Sequence, residues 1–262
     1  MTILNKIIED KREEVAQARE RVPLERLQAH IATTPWSPRG FYRRLAAPGP
    51  SGANIIAEVK RASPSKGLIR ADLKAGDCAL EYERGGAAAV SVLTDGAYFK
   101  GSLADLRQVR RTTALPVLRK EFIISAYQVF ESRAAGADAI LLIARVLEPN
   151  HLADLLALTR ELEMDALVEI HSEADYAAAH SANARLIGIN NRNLATFDTD
   201  IRTAMQLTGL LQAGEIPVAA SGISSRADIE SNLQSGIFNF LIGESLVRAK
   251  DRTAMLKLLL AG

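Results

Sequence analysis

Gly136-Ala137-Asp138-Ala139-Ile140-Leu141-Leu142-Ile143 contains the turn and the strand on which the fold reading rests. The glycine stands where the helix predicted over Tyr127–Ala135 must end with positive φ. Five apolar residues then follow without in/out alternation, as in a strand of a parallel sheet buried on both faces. Two other turns repeat the arrangement: Gly85-Gly86-Ala87-Ala88 and Ser235-Gly236-Ile237-Phe238. Repeated βα units produce this kind of weak self-similarity.

Reading outward, eight short apolar runs stand as candidate strands: Asn54–Lys60, Ala89–Leu93, Pro116–Lys120, Ala139–Ile143, Ala166–Glu169, Leu186–Asn190, Pro217–Ala220 and Phe238–Ile242. Their starts lie about 20 to 35 residues apart, the size of one βα unit. Helices are predicted between them over Asp72–Arg84, Leu103–Arg111, Tyr127–Ala135, His151–Glu163, Glu173–His180, Ile201–Leu211, Arg226–Gln234 and Ser245–Ala249, with a final one over Asp251–Leu260. Ser125, Ser172, Asp200 and Ser225 are candidate N-caps. Strict alternation leaves a closed barrel or an open doubly wound sheet. The turn after the first strand, Lys60-Arg61-Ala62-Ser63-Pro64-Ser65-Lys66-Gly67, lacks the dinucleotide fingerprint, and no P-loop occurs. Eight units in about 200 residues favour an α/β fold of the (βα)8 TIM-barrel type.

Some 50 residues precede the first strand. Ile3, Leu4, Ile7, Ile8 and Val15 recur at helical spacing, and a shorter helix is predicted over Leu24–Ala32. This segment can cap one end of the barrel or meet a partner. Residues 1–262 are expected to form one barrel domain, with 1–53 a helical extension over its catalytic face.

Lys and Arg number 32 against 31 Asp and Glu, so no charge excess points to nucleic acid or an anionic membrane. Cys78 is the single cysteine, which excludes an intrachain disulfide and a cysteine zinc site. The acidic start and the lack of a long apolar run predict a soluble, cytoplasmic protein without a membrane partner.

In a parallel barrel the active site lies at the carboxyl ends of the strands. There the sequence places Glu58 and Lys60, two apart and so on one face, then Arg119-Lys120-Glu121, Glu169, Asn190, Ser221-Gly222 and Gly243-Glu244. Glu58 and Lys60 can pair with each other, or with Lys120, in a merely structural layer. Taken as a set, ammonium and carboxylate groups on one rim favour proton-transfer chemistry, because crowded ionisable groups shift one another's pKa values. Glycines in Ala220-Ser221-Gly222-Ile223 and Ile242-Gly243-Glu244 let main-chain N–H groups approach an anion, and loops after the last two strands are the usual phosphate site of this fold. Ser63 can add a hydroxyl and Lys66 a cation. His30, His151, His171 and His180 share no ligand spacing, so no metal is expected and the four histidines read as surface or packing residues.

The segment Ile56-Ala57-Glu58-Val59-Lys60-Arg61-Ala62-Ser63-Pro64-Ser65 resembles the signature of the indole-3-glycerol-phosphate synthase family. Further similarity lies in Asn5–Val15, Val92–Asp95, Tyr98–Ser102, Leu118–Ile123, Leu167–His171, Gly188–Leu194 and Ser221–Ile223, nearly the whole chain. The resemblance implies ring closure, decarboxylation and dehydration of 1-(2-carboxyphenylamino)-1-deoxyribulose 5-phosphate, without a cofactor. It implies a catalytic set of Glu58, Lys60, Lys120, Glu169, Asn190 and Ser221. Phosphate contacts fall on Ser63, Gly222, Gly243 and the amide of Glu244, and Phe99, Phe122 and Arg192 line the substrate pocket. The partner expected is therefore a small phosphorylated molecule, bound by a monomer, with association with other tryptophan-pathway enzymes left open. One departure stands out, since many members carry glutamate where this chain has Ala220. Another phosphate-binding barrel enzyme, or a noncatalytic phosphosugar binder, remains the alternative.

Overall fold

The structure, a computed structural model, describes residues 2–193 and 198–261. Leu194, the last residue of one family-like segment, lies outside them. The eight predicted strands form, as β1 Asn54–Val59, β2 Ala89–Leu93, β3 Val117–Lys120, β4 Ala139–Ile143, β5 Asp165–Ile170, β6 Leu186–Asn190, β7 Ile216–Ala220 and β8 Asn239–Ile242. All neighbours are parallel, and β1 pairs with both β2 and β8, so the sheet closes into a barrel. Closure follows from the sequence: strands apolar on both faces need helices outside and a filled lumen inside.

The period of two along each strand divides the core into two shells. Ile55, Ala57, Val59, Val90, Val92, Ile140, Leu142, Val168, Ile187, Phe240 and Ile242 face outward into one apolar cluster shared with the surrounding helices. Ile56, Ala89, Leu118, Ala139, Leu141, Leu167, Leu186, Val218, Ala220 and Leu241 form the other, which fills the lumen.

The helices are α1 Ile3–Arg21, α2 Leu24–Thr33, α3 Phe41–Leu45, α4 Ala75–Arg84, α5 Leu103–Thr112, α6 Ala126–Ala135, α7 Pro149–Glu161, α8 Glu173–Ser181, α9 Arg202–Thr208, α10 Arg226–Leu233, α11 Glu244–Arg248 and α12 Arg252–Leu260. Ser125, Ser172 and Ser225 cap α6, α8 and α10 through their hydroxyls. Asp200 does not cap α9, whose N-cap is Ile201; its carboxylate instead clasps the Arg202 guanidinium and main-chain N–H. Gly86, Gly136 and Gly236 have the positive φ expected of helix-ending glycines.

Two parts of the amino-terminal segment brace the barrel. Phe41 and Leu45 are wholly buried in the lumen cluster, and Asn239 Nδ2 donates to the Leu45 carbonyl at 3.2 Å. Asp165, the first residue of β5, accepts the Tyr42 N–H at 2.8 Å, which places α3 at the amino ends of the strands. The sequence does not announce this short helix. α1 meets the opposite end, where Lys11, almost fully buried, reaches Asp95 at 3.0 Å and Glu121 at 2.9 Å in the segments after β2 and β3. Tyr98 donates to the Asp10 carboxylate, and Tyr127 donates to the carbonyls of Ala18 and Val22. Among the described residues no helix is long and apolar enough to cross a membrane.

Truncating the lumen plug leaves a void that the surrounding strands cannot close. Phe41→Ala is expected to cost about 3–5 kcal/mol in urea unfolding; a loss below about 1 kcal/mol would show that α3 does not seal the barrel.

Candidate active site

The inner face of each strand continues from the apolar lumen into polar residues at its carboxyl end. Ile56 leads to Glu58 and Lys60, Leu118 to Lys120, Leu167 to Glu169 and Leu186 to Asn190, each at spacing two. These four columns meet at a cavity of about 440 Å³, of the size that holds a small ligand. Glu58, Lys60, Ser63, Phe99, Lys120, Phe122, Glu169, Asn190, Arg192, Ser221, Gly222, Gly243 and Glu244, all expected from sequence, border it. Lys66 does not; it is exposed at the tip of a ribbon in which Ala62–Ser63 pairs with Gly67–Leu68.

Two ion pairs organise the ring. Lys120 Nζ lies 3.2 Å from Glu169 Oε2, and Lys60 Nζ lies 2.7 Å from Glu58 Oε1. Asn190 Nδ2 donates to Glu169 Oε1 at 3.2 Å, and Asn190 Oδ1 accepts the Arg192 N–H at 3.0 Å. Glu58 Oε2 is buried without a hydrogen-bond partner, an acceptor still open to a ligand. Burial opposes charge on Lys120, but Glu169 and Glu58 outweigh it and hold the ammonium above its usual pKa. Burial likewise opposes charge on Glu169, yet Lys120, His171 and the Asn190 amide together pull its pKa below the ordinary 4.5. The site is therefore a ring of opposite charges held in pairs.

The neighbours of Lys120 are engaged elsewhere. Arg119 bonds the Thr94 hydroxyl, the Gln128 carbonyl and Glu131, while Glu121 joins the Lys11 cluster. Asn191 bridges the next elements: its Oδ1 accepts from the Ala204 N–H and its Nδ2 donates to the Ser221 carbonyl.

After β7 the chain turns through Ser221 at φ +67° and Gly222 at φ +78°. A non-glycine residue in this region carries strain of about 1–2 kcal/mol, so the turn is held by its surroundings. A Cβ at Gly222 would strike Thr199, and one at Gly243 would overlap the Glu58 carboxylate. Gly243 thus has a reason the sequence reading did not supply: it leaves room for Glu58.

Some residues of the wall were not singled out from sequence. Ile3, Leu4 and Ile7 of α1 form an apolar side of the cavity, facing the same space as the Phe99 and Phe122 rings, whose centroids are 6.1 Å apart. Their helical periodicity was visible in a segment expected over the catalytic face, but not which of its residues would line the cavity. Arg248 at the rim pairs with Glu244 at 3.1 Å, an i,i+4 spacing that gave the only hint. Among the described residues no group of three or more His, Cys, Asp and Glu side chains could hold a metal ion.

A family model described as indole-3-glycerol phosphate synthase matches residues 4–259. The chain belongs to the indole-3-glycerol phosphate synthase family. A relative of that description from Desulfosudis oleivorans is 57% identical over 261 residues, 98% of each chain. Another, from Syntrophobacter fumaroxidans, is 49% identical over 253 residues, covering 97% of this chain and 95% of its own. The family comprises carboxy-lyases of tryptophan biosynthesis. Among solved structures, tryptophan synthase subunit alpha from Legionella pneumophila superposes with a TM-score of 0.61 at 14% identity, over 86% of this chain and 97% of the other, a likeness of fold.

Replacing Lys120 by an apolar residue leaves Glu169 buried without its nearest cation, so burial then raises its folded pKa. The native state of Lys120→Met binds a proton more readily than the unfolded chain, so its stability rises as pH falls. The parent protein gains nothing in this range, because its depressed Glu169 loses stability only as pH drops below the ordinary 4.5. The melting-temperature deficit of Lys120→Met is expected to be smaller near pH 5 than near pH 7.5. An unchanged deficit would mean that Lys120 does not hold the carboxylate charged.

Proposed function

We propose that this cavity converts 1-(2-carboxyphenylamino)-1-deoxyribulose 5-phosphate to indole-3-glycerol phosphate, carbon dioxide and water, with Lys120 as the acid of the first step. The observation carrying this reading is the pair of lysines and pair of glutamates, with Asn190, around one space bordered by the turns after β7 and β8. In those turns the main-chain N–H groups of Gly222, Gly243 and Glu244, with the Ser63 hydroxyl, suit a phosphate. The aryl ring suits the apolar side made by Phe99, Phe122 and α1, which in this reading caps the catalytic face. Phosphate contacts hold the flexible sugar for ring closure, so remote binding energy is used for orientation.

The aromatic carbon bearing the carboxylate attacks the sugar ketone. A carbon–carbon bond forms, the C=O electron pair moves to oxygen, and Lys120 donates a proton there. Carbon dioxide leaves, and the electrons of the broken bond neutralise the cationic ring. The new hydroxyl then departs as water and a proton is lost from the ring system. Lys60, steadied by Glu58, serves as counter-ion to the substrate carboxylate and then as the acid for water loss. Glu169 accepts the final proton. Once Lys120 has given up its proton, Glu169 no longer faces a full ammonium and becomes a stronger base, the behaviour of a coupled pair. Asn190 and Ser221 hydrogen-bond the sugar hydroxyls or the carboxylate.

With the carboxyphenylamino substrate, indole fluorescence should develop with the parent protein. In folded Lys120→Ala the rate should fall by about 10²–10⁴-fold, the scale of one lost general acid. Near-normal turnover in that variant would refute the first proton transfer, and substrate binding without any turnover by the parent chain would favour a noncatalytic binder.

A further inference from the structure

His171 follows β5 by one residue and shares the inward parity of Glu169. Its main-chain N–H donates to Asp175 Oδ2 at 2.7 Å, and Arg145 grips the same oxygen with Nη2 at 2.8 Å. The backbone is thereby pinned, and the imidazole is buried with 4% side-chain exposure. Nε2 stands 3.5 Å from Glu169 Oε1 and Nδ1 stands 3.8 Å from Asp175 Oδ2. Neither ring nitrogen makes a hydrogen bond. A buried polar group without a partner is costly and calls for a reason.

That reason lies in the geometry of Glu169. Lys120 holds one carboxylate oxygen and Asn190 approaches the other, which still has a free acceptor position beside the imidazole. We propose that His171 is a positioning residue for Glu169, its neutral ring donating from Nε2 to Oε1 and keeping the carboxylate aimed into the cavity as Lys120 loses its proton. This rests on the role of Glu169 proposed above. The charged groups facing the ring are Glu169 on β5, Asp175 on α8, Arg145 in the turn after β4 and Lys120 on β3. Burial, with Arg145 and Lys120, outweighs the two carboxylates and holds the imidazole below its ordinary pKa of 6.5. The ring is therefore neutral at pH 7. As pH falls below that value, an imidazolium forms beside Glu169, stabilises the carboxylate and weakens it as a base.

The test measures kcat and KM from about pH 5 to 8 for the full chain and for His171→Leu, His171→Gln and Glu169→Gln, with melting temperatures as a folding check. His171→Leu is expected to lower kcat about tenfold with KM within about twofold, and His171→Gln, whose amide can donate, to recover most of it. The acid limb of the parent kcat should move in His171→Gln, because glutamine does not titrate while Glu169 still does. The proposal is overturned by parental turnover in folded His171→Leu, by a glutamine variant no better than leucine, or by an acid limb unmoved in His171→Gln. Should His171→Leu not fold, turnover and the position of the acid limb in His171→Gln decide. A Glu169→Gln protein with parental turnover would sink the assignment of Glu169 itself, whereas an impaired Glu169→Gln beside an unimpaired His171→Leu would sink only the role of the histidine.

Discussion

Closure of the sheet is the constraint from which the site follows. Once β1 pairs with both β2 and β8, every second residue of each strand must face a lumen too narrow for water and free side chains together. Toward the amino ends that column is apolar and sealed by Phe41 and Leu45. Toward the carboxyl ends it becomes Glu58, Lys60, Lys120, Glu169 and Asn190, drawn from residues more than a hundred positions apart in the chain. Charges so largely buried are tolerated best as partners. Lys120 with Glu169, and Lys60 with Glu58, are thus paired on the ring to which the proposed chemistry is assigned.

The same parity gives adjacent residues separate work. Lys120 faces in, while Arg119 before it faces out. Glu121, with Asp95 after β2, holds Lys11 of α1, so the strand that carries Lys120 into the cavity also docks the helix whose Ile3, Leu4 and Ile7 complete it. Asn190 and Asn191 divide in the same way, the first touching Glu169 and the second bracing the strained Ser221 turn. Support and function are interleaved at single-residue spacing, which explains why whole segments such as Leu118–Ile123 and Gly188–Leu194 carry the family likeness.

All eight strands were legible because parallel strands are apolar runs bounded by glycine and helix caps, and the inward carboxylates and ammoniums were legible because a core would not otherwise accept them. α3 was not, since five residues between prolines hold too few turns for a helical period to show. α4 begins at Ala75, not Asp72, because Lys74 is still extended. The partners within the ring were also hidden: parity says which residues face inward, but register decides that Lys120 meets Glu169 while Lys60 meets Glu58. His171 read as an ordinary packing residue, because only the position of Glu169 beneath it reveals where its nitrogens lie.

The balance of charge offers a last step. The formal charges of Glu58, Lys60, Lys120 and Glu169 sum to zero, in two neighbouring ion pairs. In the proposed reaction a bound substrate adds a carboxylate and tips the ring negative until carbon dioxide leaves, while Lys120 makes its proton transfer during ring closure. Loss of carbon dioxide then removes that anion from the site. The ammonium that had faced it is relieved of a counter-charge and becomes the stronger acid just when a hydroxyl must leave. In that proposal the substrate carries its own electrostatic control and discards it between the first proton transfer, from Lys120, and the loss of water.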